Sequence, residues 1–253
     1  DIVVSDNLIE ILLVRPDAWL SGSFFWHESL EQFPEDLKNQ TEELLRQYQP
    51  RMLSSRMFAS EKLRDNTNLY KVGLFSNRKK KPIYHKNKCD FLISCGRGRV
   101  LEKETKSFLN ILSQESSIPF GTVWVEPSII PDKPPNWMKE ATFNSQMYEN
   151  VIAAVIRPGI GTVTNALAAG ARIFSFYEPG NKEMRENGIR IEKYNYGINS
   201  SSIEIAWNKA VKYAYDEQAK MQHFKELKSI DLEGAEEAAR ILYKYIQNLE
   251  DVL

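Results

Sequence analysis

The sequence predicts an α/β protein with parallel sheets, and three observations support that prediction. Apolar runs alternate with amphipathic helical patterns between residues 90 and 200, which is typical of parallel strands joined by crossover helices. The 253 residues are 42% hydrophobic, enough for one large or two modest cores. Glycine turns follow two of the predicted strands, around Gly96 and around Gly159.

Residues 1–76 form the first predicted domain, which we expect to be incomplete. Short strands are predicted at Asp1–Ser5 and Ala18–Leu20, with a buried helix over Leu8–Val14 between them. A second helix is predicted over 35–49 and ends at a proline. Because the chain opens directly on a predicted buried strand, we expect that earlier segments of this domain are missing.

Residues 77–88 are predicted to link the first domain to a second one. Four consecutive basic residues, Arg78 to Lys81, precede a proline, and no apolar period runs through them. The pattern is typical of a solvated linker. The alternative is a basic patch for phosphate or for an anionic membrane surface.

The second predicted domain covers residues 89–228 and begins with a strand at Asp90–Ser94. A helix over 101–113 and a strand over Gly121–Val125 follow, and a proline-rich loop occupies 127–136. This order of strand, helix and strand predicts that the sheet of the domain is parallel.

The last part of the chain is predicted to be mostly helical. A short helix is expected at Asn144–Val151, and Ser201 begins a long helix that ends near residue 222. The final helix lies within 229–253 and carries an apolar stripe, which fits either packing back on the first domain or a dimer contact.

Composition excludes several classes of protein. No apolar run reaches the roughly 18–20 residues of a membrane span. A net charge of −1 argues against bulk nucleic-acid binding. Cys89 and Cys95 are expected to be buried bystander thiols, because their spacing fits no zinc pattern and no histidine pair is near. We therefore expect no metal and a cytoplasmic protein.

The stretch from Val151 to Ala171 is the strongest candidate for a binding site. A strand pattern ends at Ile156, the glycines Gly159 and Gly161 follow, and a helical pattern runs to Gly170. The first N–H groups of a helix lack partners and the helix dipole is positive there, so this geometry suits an anionic ligand. The same residues also fit an ordinary strand–turn–helix unit whose glycines only make a tight turn.

Neither glycine turn carries a dinucleotide fingerprint, since GxGxxG is absent, and the sequence has no Walker A phosphate loop. Arg97 and Arg157 stand beside the two turns and could neutralise phosphate charge. Arginines at strand ends are also common on ordinary surfaces. The residues alone leave both interpretations open.

Residues 157–170, RPGIGTVTNALAAG, resemble the donor-binding motif of GT-B glycosyltransferases, and most closely that of family 28 and its MurG-like members. The similarity continues to Gly197, and Val3–Asp6 and Ser23–His27 resemble the last strands of the family's amino-terminal domain. This resemblance implies two Rossmann-like domains with parallel sheets, the first one incomplete. It also implies transfer of a hexosyl or N-acetylhexosaminyl group from a UDP-sugar to an unidentified acceptor.

The resemblance assigns donor-binding roles residue by residue. Gly159, Gly161 and Thr162 match the turn that faces the diphosphate. Gly96 and Gly98 resemble the phosphate-side loop of the domain's first strand.

The sugar and ribose side departs from the family pattern at several positions. The ribose-binding glutamate of the family falls at Asn165, a neutral and weaker acceptor. The paired glutamines fall at Glu183 and Met184, of which only Glu183 can accept from sugar hydroxyls. Asn187 matches an asparagine of the sugar-side helix.

The catalytic base of inverting family members lies in the amino-terminal domain and deprotonates the acceptor hydroxyl. In the family it usually comes from a segment earlier than any in this chain, so the resemblance itself assigns no catalytic residue here. His27 is the local candidate for this base, because His85 lies in the predicted linker and His223 in a polar helix. The alternative is that Trp26 and His27 close the edge of the domain core.

The sequence leaves three functions open on this fold. The first is a glycosyltransferase that uses a UDP-sugar as co-substrate and needs no cofactor. The second is a UDP-sugar hydrolase or epimerase, and the third is a non-catalytic glycosyltransferase-like subunit. Expected partners are the nucleotide-sugar donor, an unknown acceptor, and a partner subunit or a second copy of the chain. Peripheral contact with the inner face of a membrane would follow from the basic patch.

Overall fold

The computed structural model describes residues 1–30, 32–77, 82, 88–96 and 99–250. Contacts between residues divide the chain into two units, each with its own sheet of parallel strands. The first unit contains the described residues of Asp1–Ser76, Gly180–Glu183 and the chain from Asp231 onward. The second contains those of Asn77–Pro179 and Met184–Ile230. The predicted α/β class with two parallel sheets is confirmed.

Strands and helices follow one another along the chain in the order expected for such a fold. The strands are β1 (Val4–Asp6), β2 (Trp19–Ser21), β3 (Arg51–Ser55), β4 (Asn68–Val72), β5 (Asp90–Ser94), β6 (Val123–Val125), β7 (Met138–Glu140), β8 (Val151–Ile156), β9 (Arg172–Ser175) and β10 (Gly197–Asn199). The helices are α1 (Trp26–Ser29), α2 (Glu35–Tyr48), α3 (Glu61–Asn66), α4 (Arg99–Leu112), α5 (Ser145–Glu149), α6 (Ile160–Ala169), α7 (Lys182–Lys193), α8 (Ile203–Tyr215), α9 (Glu217–Glu226) and α10 (Gly234–Glu250).

The first sheet has the order β1-β2-β3-β4. Helix α2 forms close to the predicted range, and its Leu44 and Leu45 belong to one buried cluster with Leu20 and Met52 of the sheet. The buried helix predicted over Leu8–Val14 is wrong. A short 3-10 helix spans Ile9–Leu13 instead, and it buries Ile9 and Leu12 while Val14 is 72% exposed. With three residues per turn, a 3-10 helix aligns residues three apart on one face, so only that face is covered.

Helix α10 packs on the first sheet. Ala238 joins a buried cluster with Trp19, Leu53 and Val72. The Glu237 carboxylate accepts the Gly73 N–H at 3.0 Å, which ties the helix to the end of β4. Helix α10 therefore packs against the sheet of its own unit.

The second sheet has the order β10-β9-β8-β5-β6-β7, and every pair of neighbours is parallel. Strand β8 is buried along its whole length, as expected for the interior of a sheet with helices on both faces. Helix α6 runs back along β8 and β9 and ends at Gly170, whose φ of +92° is a left-handed helix cap.

Two predictions for the second unit need correction. The long helix from Ser201 is divided at Asp216, where the carboxylate accepts the Ala219 N–H at 2.9 Å and caps a new helix. Cys95 is buried, but Cys89 is exposed rather than buried, because it lies just before the first residue of β5.

Of the predicted linker, the structure describes only residues 77, 82 and 88. The basic run Arg78–Lys81 lies outside the described residues. Within the described ranges, every helix is too short or too polar to cross a membrane.

Candidate functional site

The two glycine turns meet where the strand order of the second sheet reverses. Strand β5 pairs with β6 on one side and with β8 on the other, so the sheet grows outward from β5 in both directions. Ser94 at the end of β5 lies opposite Ile156 at the end of β8, and the Arg157 N–H donates to the Ser94 carbonyl at 2.9 Å. Open parallel sheets bind ligands in the crevice outside the carboxyl ends of strands at such a reversal.

The turn that follows β8, residues 158–162, is called the open turn because space surrounds its glycines. Gly159 has a φ of −68°, which any residue adopts. Apart from its chain neighbours and the backbone of its own helix, a Cβ atom placed on Gly159 or Gly161 would meet no described atom within 4 Å. Neither backbone conformation nor packing therefore requires glycine at these two positions, and the turn leaves open space beside the start of α6.

Helix α6 begins within the open turn, and its first N–H groups have no partner inside the helix. Its first intrahelical hydrogen bond joins the Val163 N–H to the Gly159 carbonyl at 3.0 Å. The preceding N–H groups, including those of Gly161 and Thr162, have no partner within the helix. The first helical turn contains no acidic residue that would occupy them. An anion bound there would be stabilised by these donors and by the positive end of the helix dipole.

Asn187 supports the open turn from inside the protein. Its side chain is only 3% exposed, and Nδ2 donates to the Pro158 carbonyl at 3.1 Å. The matching of Asn187 to a sugar-side asparagine stays a prediction. In this conformation the side chain fixes the shape of the turn.

The turn that follows β5 is called the filled turn, because a carboxylate of the protein occupies its donors. Gly96 has a φ of +60°, and its N–H donates to Glu126 Oε2 at 2.9 Å. The Ser94 hydroxyl donates to the same oxygen at 2.8 Å. The N–H of Gly96, a residue that the family resemblance places in the phosphate-side loop, is thus already bonded to a carboxylate of the protein. Arg97 and Gly98 lie outside the described residues.

Arg157 is engaged in a bidentate ion pair. Nε and Nη2 donate to the two carboxylate oxygens of Glu178 at 3.1 and 2.9 Å, and both side chains are about four-fifths buried. Nη1 lies on the side of the filled turn, 3.7 Å from the position of a Cβ atom on Gly96. This pair holds the guanidinium in one orientation and neutralises most of its charge.

Asn165 lies on the second turn of α6 beside Tyr148 of α5. Burial raises the pKa of the Tyr148 hydroxyl to about 12, and the nearby Asn165 side chain offsets a little of this rise. Within the described structure the hydroxyl forms no hydrogen bond of normal geometry. The Asn165 amide and the Tyr148 hydroxyl therefore lie near each other without a hydrogen bond of normal geometry.

The remaining predicted residues lie on other elements. Glu183 lies in the first turn of α7. The residue contacts assign it to the first unit. His27, on α1 of that unit, stacks nearly parallel on Phe25 with ring centroids 5.7 Å apart. Burial lowers the pKa of His27, and its Nδ1 atom is buried without a hydrogen bond to any described residue. The imidazole is accordingly neutral at pH 7.

Sequence reasoning did not identify Glu126, Glu178 or Tyr148. One signal could have indicated Glu126, because it directly follows a predicted strand and must lie at the ligand-binding edge of a parallel sheet. Glu178 pairs with Arg157 across a separation of 21 residues, which no local pattern reveals.

A separate cleft in the second unit contains none of the predicted site residues. It has a volume of about 830 Å³ and is formed by α4, the loop after β6 and the end of β7. No three His, Cys, Asp or Glu side chains in the described part of the chain are grouped to hold a metal ion.

Comparison with known proteins gives structural matches only. No protein-family model matches the sequence, and no curated protein is significantly similar to it. The calicheamicin glycosyltransferase CalG4 superposes with a TM-score of 0.62 at 15% identity, over 98% of this chain and 76% of CalG4.

Two further matches are structures with nucleotides bound. Arabidopsis thaliana UGT89C1 complexed with UDP-L-rhamnose matches with a TM-score of 0.58 at 12% identity, over 90% of this chain and 64% of that protein. The Streptomyces glycosyltransferase SsfS6 complexed with thymidine diphosphate matches with a TM-score of 0.52 at 13% identity, over 91% of this chain and 66% of SsfS6. The fold of this chain is that of the GT-B glycosyltransferases.

Proposed function

We propose that this chain binds a nucleotide diphosphate sugar and transfers the sugar to an acceptor, as a GT-B glycosyltransferase. The open turn is the observation that carries the proposal. Its glycines are required by neither conformation nor packing, and they leave free the N–H groups at the start of α6. The GT-B fold supports the same conclusion, because the turn lies where such sheets bind ligands.

The proposed donor is a nucleoside diphosphate sugar, with UDP as the expected nucleotide. Its diphosphate would bind at Gly159, Gly161 and Thr162, where N–H groups and the helix dipole favour negative charge. Neighbours in the comparison bind UDP-L-rhamnose and thymidine diphosphate, so both nucleotides belong in the test. The finer similarity to family 28 rests on the sequence motif alone.

The binding step can be tested by calorimetry and thermal shift. We expect UDP, UDP-sugars or TDP to bind and to raise the melting temperature, while uridine, which lacks phosphate, does not. Binding should be unchanged by EDTA, because the helix terminus rather than a metal ion would stabilise the charge of the diphosphate. Absence of any response at millimolar nucleotide would sink the proposal.

The proposed catalytic base is His27, whose lowered pKa keeps the imidazole neutral and able to accept a proton. With a UDP-sugar and a mixture of candidate acceptors, His27→Gln should abolish product formation and leave UDP affinity within about twofold. Equal turnover of the two proteins would remove His27 from the mechanism.

One observation favours a non-catalytic donor-binding subunit as the second candidate. Both expected phosphate contacts beside the open turn, the Gly96 N–H and Arg157, are already occupied by carboxylates of the protein. UDP-sugar binding without turnover, together with turnover after addition of a partner subunit, would favour it. Release of free sugar without an acceptor would indicate the hydrolase instead.

A further inference from the structure

Glu126 occupies a distinctive place in the topology of the second unit. The segment β5–α4–β6 is the first strand–helix–strand repeat of this sheet, and Glu126 follows the last residue of β6. In dinucleotide-binding Rossmann sheets, an acidic residue after the second strand accepts hydrogen bonds from a ribose hydroxyl. The chain has no GxGxxG fingerprint, yet it places a carboxylate at the corresponding position.

The Glu126 carboxylate is oriented by its neighbours in a way that leaves one oxygen available. Oε2 accepts from the Gly96 N–H at 2.9 Å and from the Ser94 hydroxyl at 2.8 Å. Among the described residues, Oε1 has only a long contact with the exposed Ser128 hydroxyl at 3.4 Å. An ionised carboxylate accepts hydrogen bonds through both oxygens, so Oε1 can take a hydroxyl of a ligand.

The position of Glu126 relative to the open turn suits a nucleotide. Strand β6 is separated from β8 by β5 alone, so the ends of β6 and β8 are about 10 Å apart at two strand spacings. A nucleoside diphosphate held by its phosphates at the open turn can extend its ribose across the end of β5. Because Glu126 follows the last residue of β6, it stands on the far side of β5 from the open turn.

Asn165 is less suited to the same task. Its amide is uncharged and lies beside the buried hydroxyl of Tyr148. A neutral amide oxygen is a weaker acceptor than a carboxylate oxygen. Of the two residues, Glu126 is therefore the stronger acceptor for a ribose hydroxyl.

We propose that Glu126 is a specificity-determining residue that accepts hydrogen bonds from the 2′ and 3′ hydroxyls of the donor ribose. This assignment rests on the proposed nucleotide-sugar function. It makes the second unit prefer ribonucleotides to 2′-deoxyribonucleotides such as TDP, which would bind more weakly than UDP. Ser94 and the Gly96 N–H act as positioning groups that fix the carboxylate.

The test compares the affinity of UDP with that of 2′-deoxy-UDP for the whole chain by calorimetry. Wild type should bind UDP about tenfold more tightly, the range expected for one charge-assisted hydrogen bond. Glu126→Gln keeps an oxygen for Ser94 and Gly96 but presents an NH₂ donor in place of Oε1. It should reduce that preference to less than about threefold, mainly by weakening UDP.

Glu140→Gln is the matched control, because it removes an exposed carboxylate one strand further along the same edge. It should leave the preference unchanged, which separates a specific contact from a general change of charge. Thermal melting of both variants checks that the fold is intact.

Three outcomes are distinguishable. An unchanged UDP preference in Glu126→Gln would overturn this assignment while leaving the proposed function in place. Tighter binding of both nucleotides by that variant would show that Glu126 only repels the donor, and would overturn it too. Failure of wild type to bind either nucleotide would refute the proposed function, and the ribose assignment with it.

Discussion

The open turn and the filled turn both contain a Gly-x-Gly sequence, but glycine has a different structural role in each. Gly96 needs its φ of +60°, and its N–H is bonded to Glu126. Gly159 has an ordinary φ, and, apart from chain neighbours and the backbone of α6, neither it nor Gly161 has a described atom within 4 Å of a Cβ position. A glycine required by the backbone serves the fold, whereas one required by neither backbone nor packing leaves space for something else. Only the second kind indicates a binding site.

The largest expected effect comes from filling the open turn with a carboxylate. Gly161→Asp places a negative charge at the first turn of α6, where it satisfies the free N–H groups and blocks the ligand. UDP affinity should fall about 100-fold, while the helix dipole should raise stability by about 0.5 kcal/mol. Calorimetry and denaturant unfolding measure the two effects. Gly161→Ala is the control, and it should stabilise the helix by about 1 kcal/mol without the charge.

If Gly161→Asp lowered both the stability and the UDP affinity, the distinction between the open and the filled turn would be contradicted, because the glycine would then be required by the fold. Retained affinity in the same variant would place the ligand elsewhere.

A second effect concerns the packing behind the open turn. At the far end of α6, Gly170 lies against Phe224, and the adjacent His223 is fully buried. Burial, with help from the nearby charge of Arg172, lowers the pKa of His223 to about 3 from 6.5. A lowered histidine pKa means that the unfolded chain takes up the proton first. The contribution of neutral His223 to the free energy of unfolding is fully present above pH 6.5 and is lost as the pH falls toward 3.

Between pH 7 and pH 5 the free energy of unfolding should therefore fall by about 2 kcal/mol from this group. The measurement is urea unfolding of the whole chain followed at several pH values. His223→Gln, which carries no titrating proton, should flatten the slope in this range. An equal slope in the variant would assign the acid sensitivity to other groups, such as the carboxylates of the ion pairs.

The direct contrast between the turns uses one alanine in each. Gly96→Ala forces a left-handed φ on a residue with a Cβ atom and should cost about 1–2 kcal/mol of stability. Gly159→Ala should leave stability within about 0.5 kcal/mol, because its φ is ordinary and space surrounds it. Equal losses in the two variants, measured by denaturant unfolding, would erase the distinction between a filled and an open turn.

The smallest effect tests what shapes the open turn. Asn187→Ala removes the hydrogen bond to the Pro158 carbonyl and should cost about 1 kcal/mol of stability. Because the turn would lose its support, UDP and UDP-sugar affinities should both fall, by about threefold to tenfold. A loss confined to the UDP-sugar would show instead that Asn187 contacts the sugar, as the family resemblance implies.

Much of the second unit was predictable because its elements have strong local patterns. The strand at Asp90–Ser94 and the turn and helix after Ile156 were found from apolar runs and glycine positions. Short strands with few apolar residues, such as β3 and β7, were not assigned. Their strand conformation depends on pairing with neighbours, and pairing partners are distant in sequence.

The candidate site shows the same division. The sequence predicted the strand, glycine turn and helix correctly, since that order is a local property. It could not decide between a ligand site and a tight turn, because the answer depends on which atoms surround Gly159 and Gly161. It also could not show that carboxylates hold Arg157 and Gly96, since those contacts join separate strands.

The sequence by itself therefore determined the α/β class, the parallel second sheet and the place of the glycine turns, because helix and strand periodicity and turn chemistry are local. Only the tertiary structure decided which turn is open and which is filled. That decision depends on Glu126, which lies on the loop after β6 and accepts the Gly96 N–H of the filled turn across the edge of the sheet. A carboxylate fills a turn only when the fold brings it within hydrogen-bonding distance, and no local pattern encodes that distance.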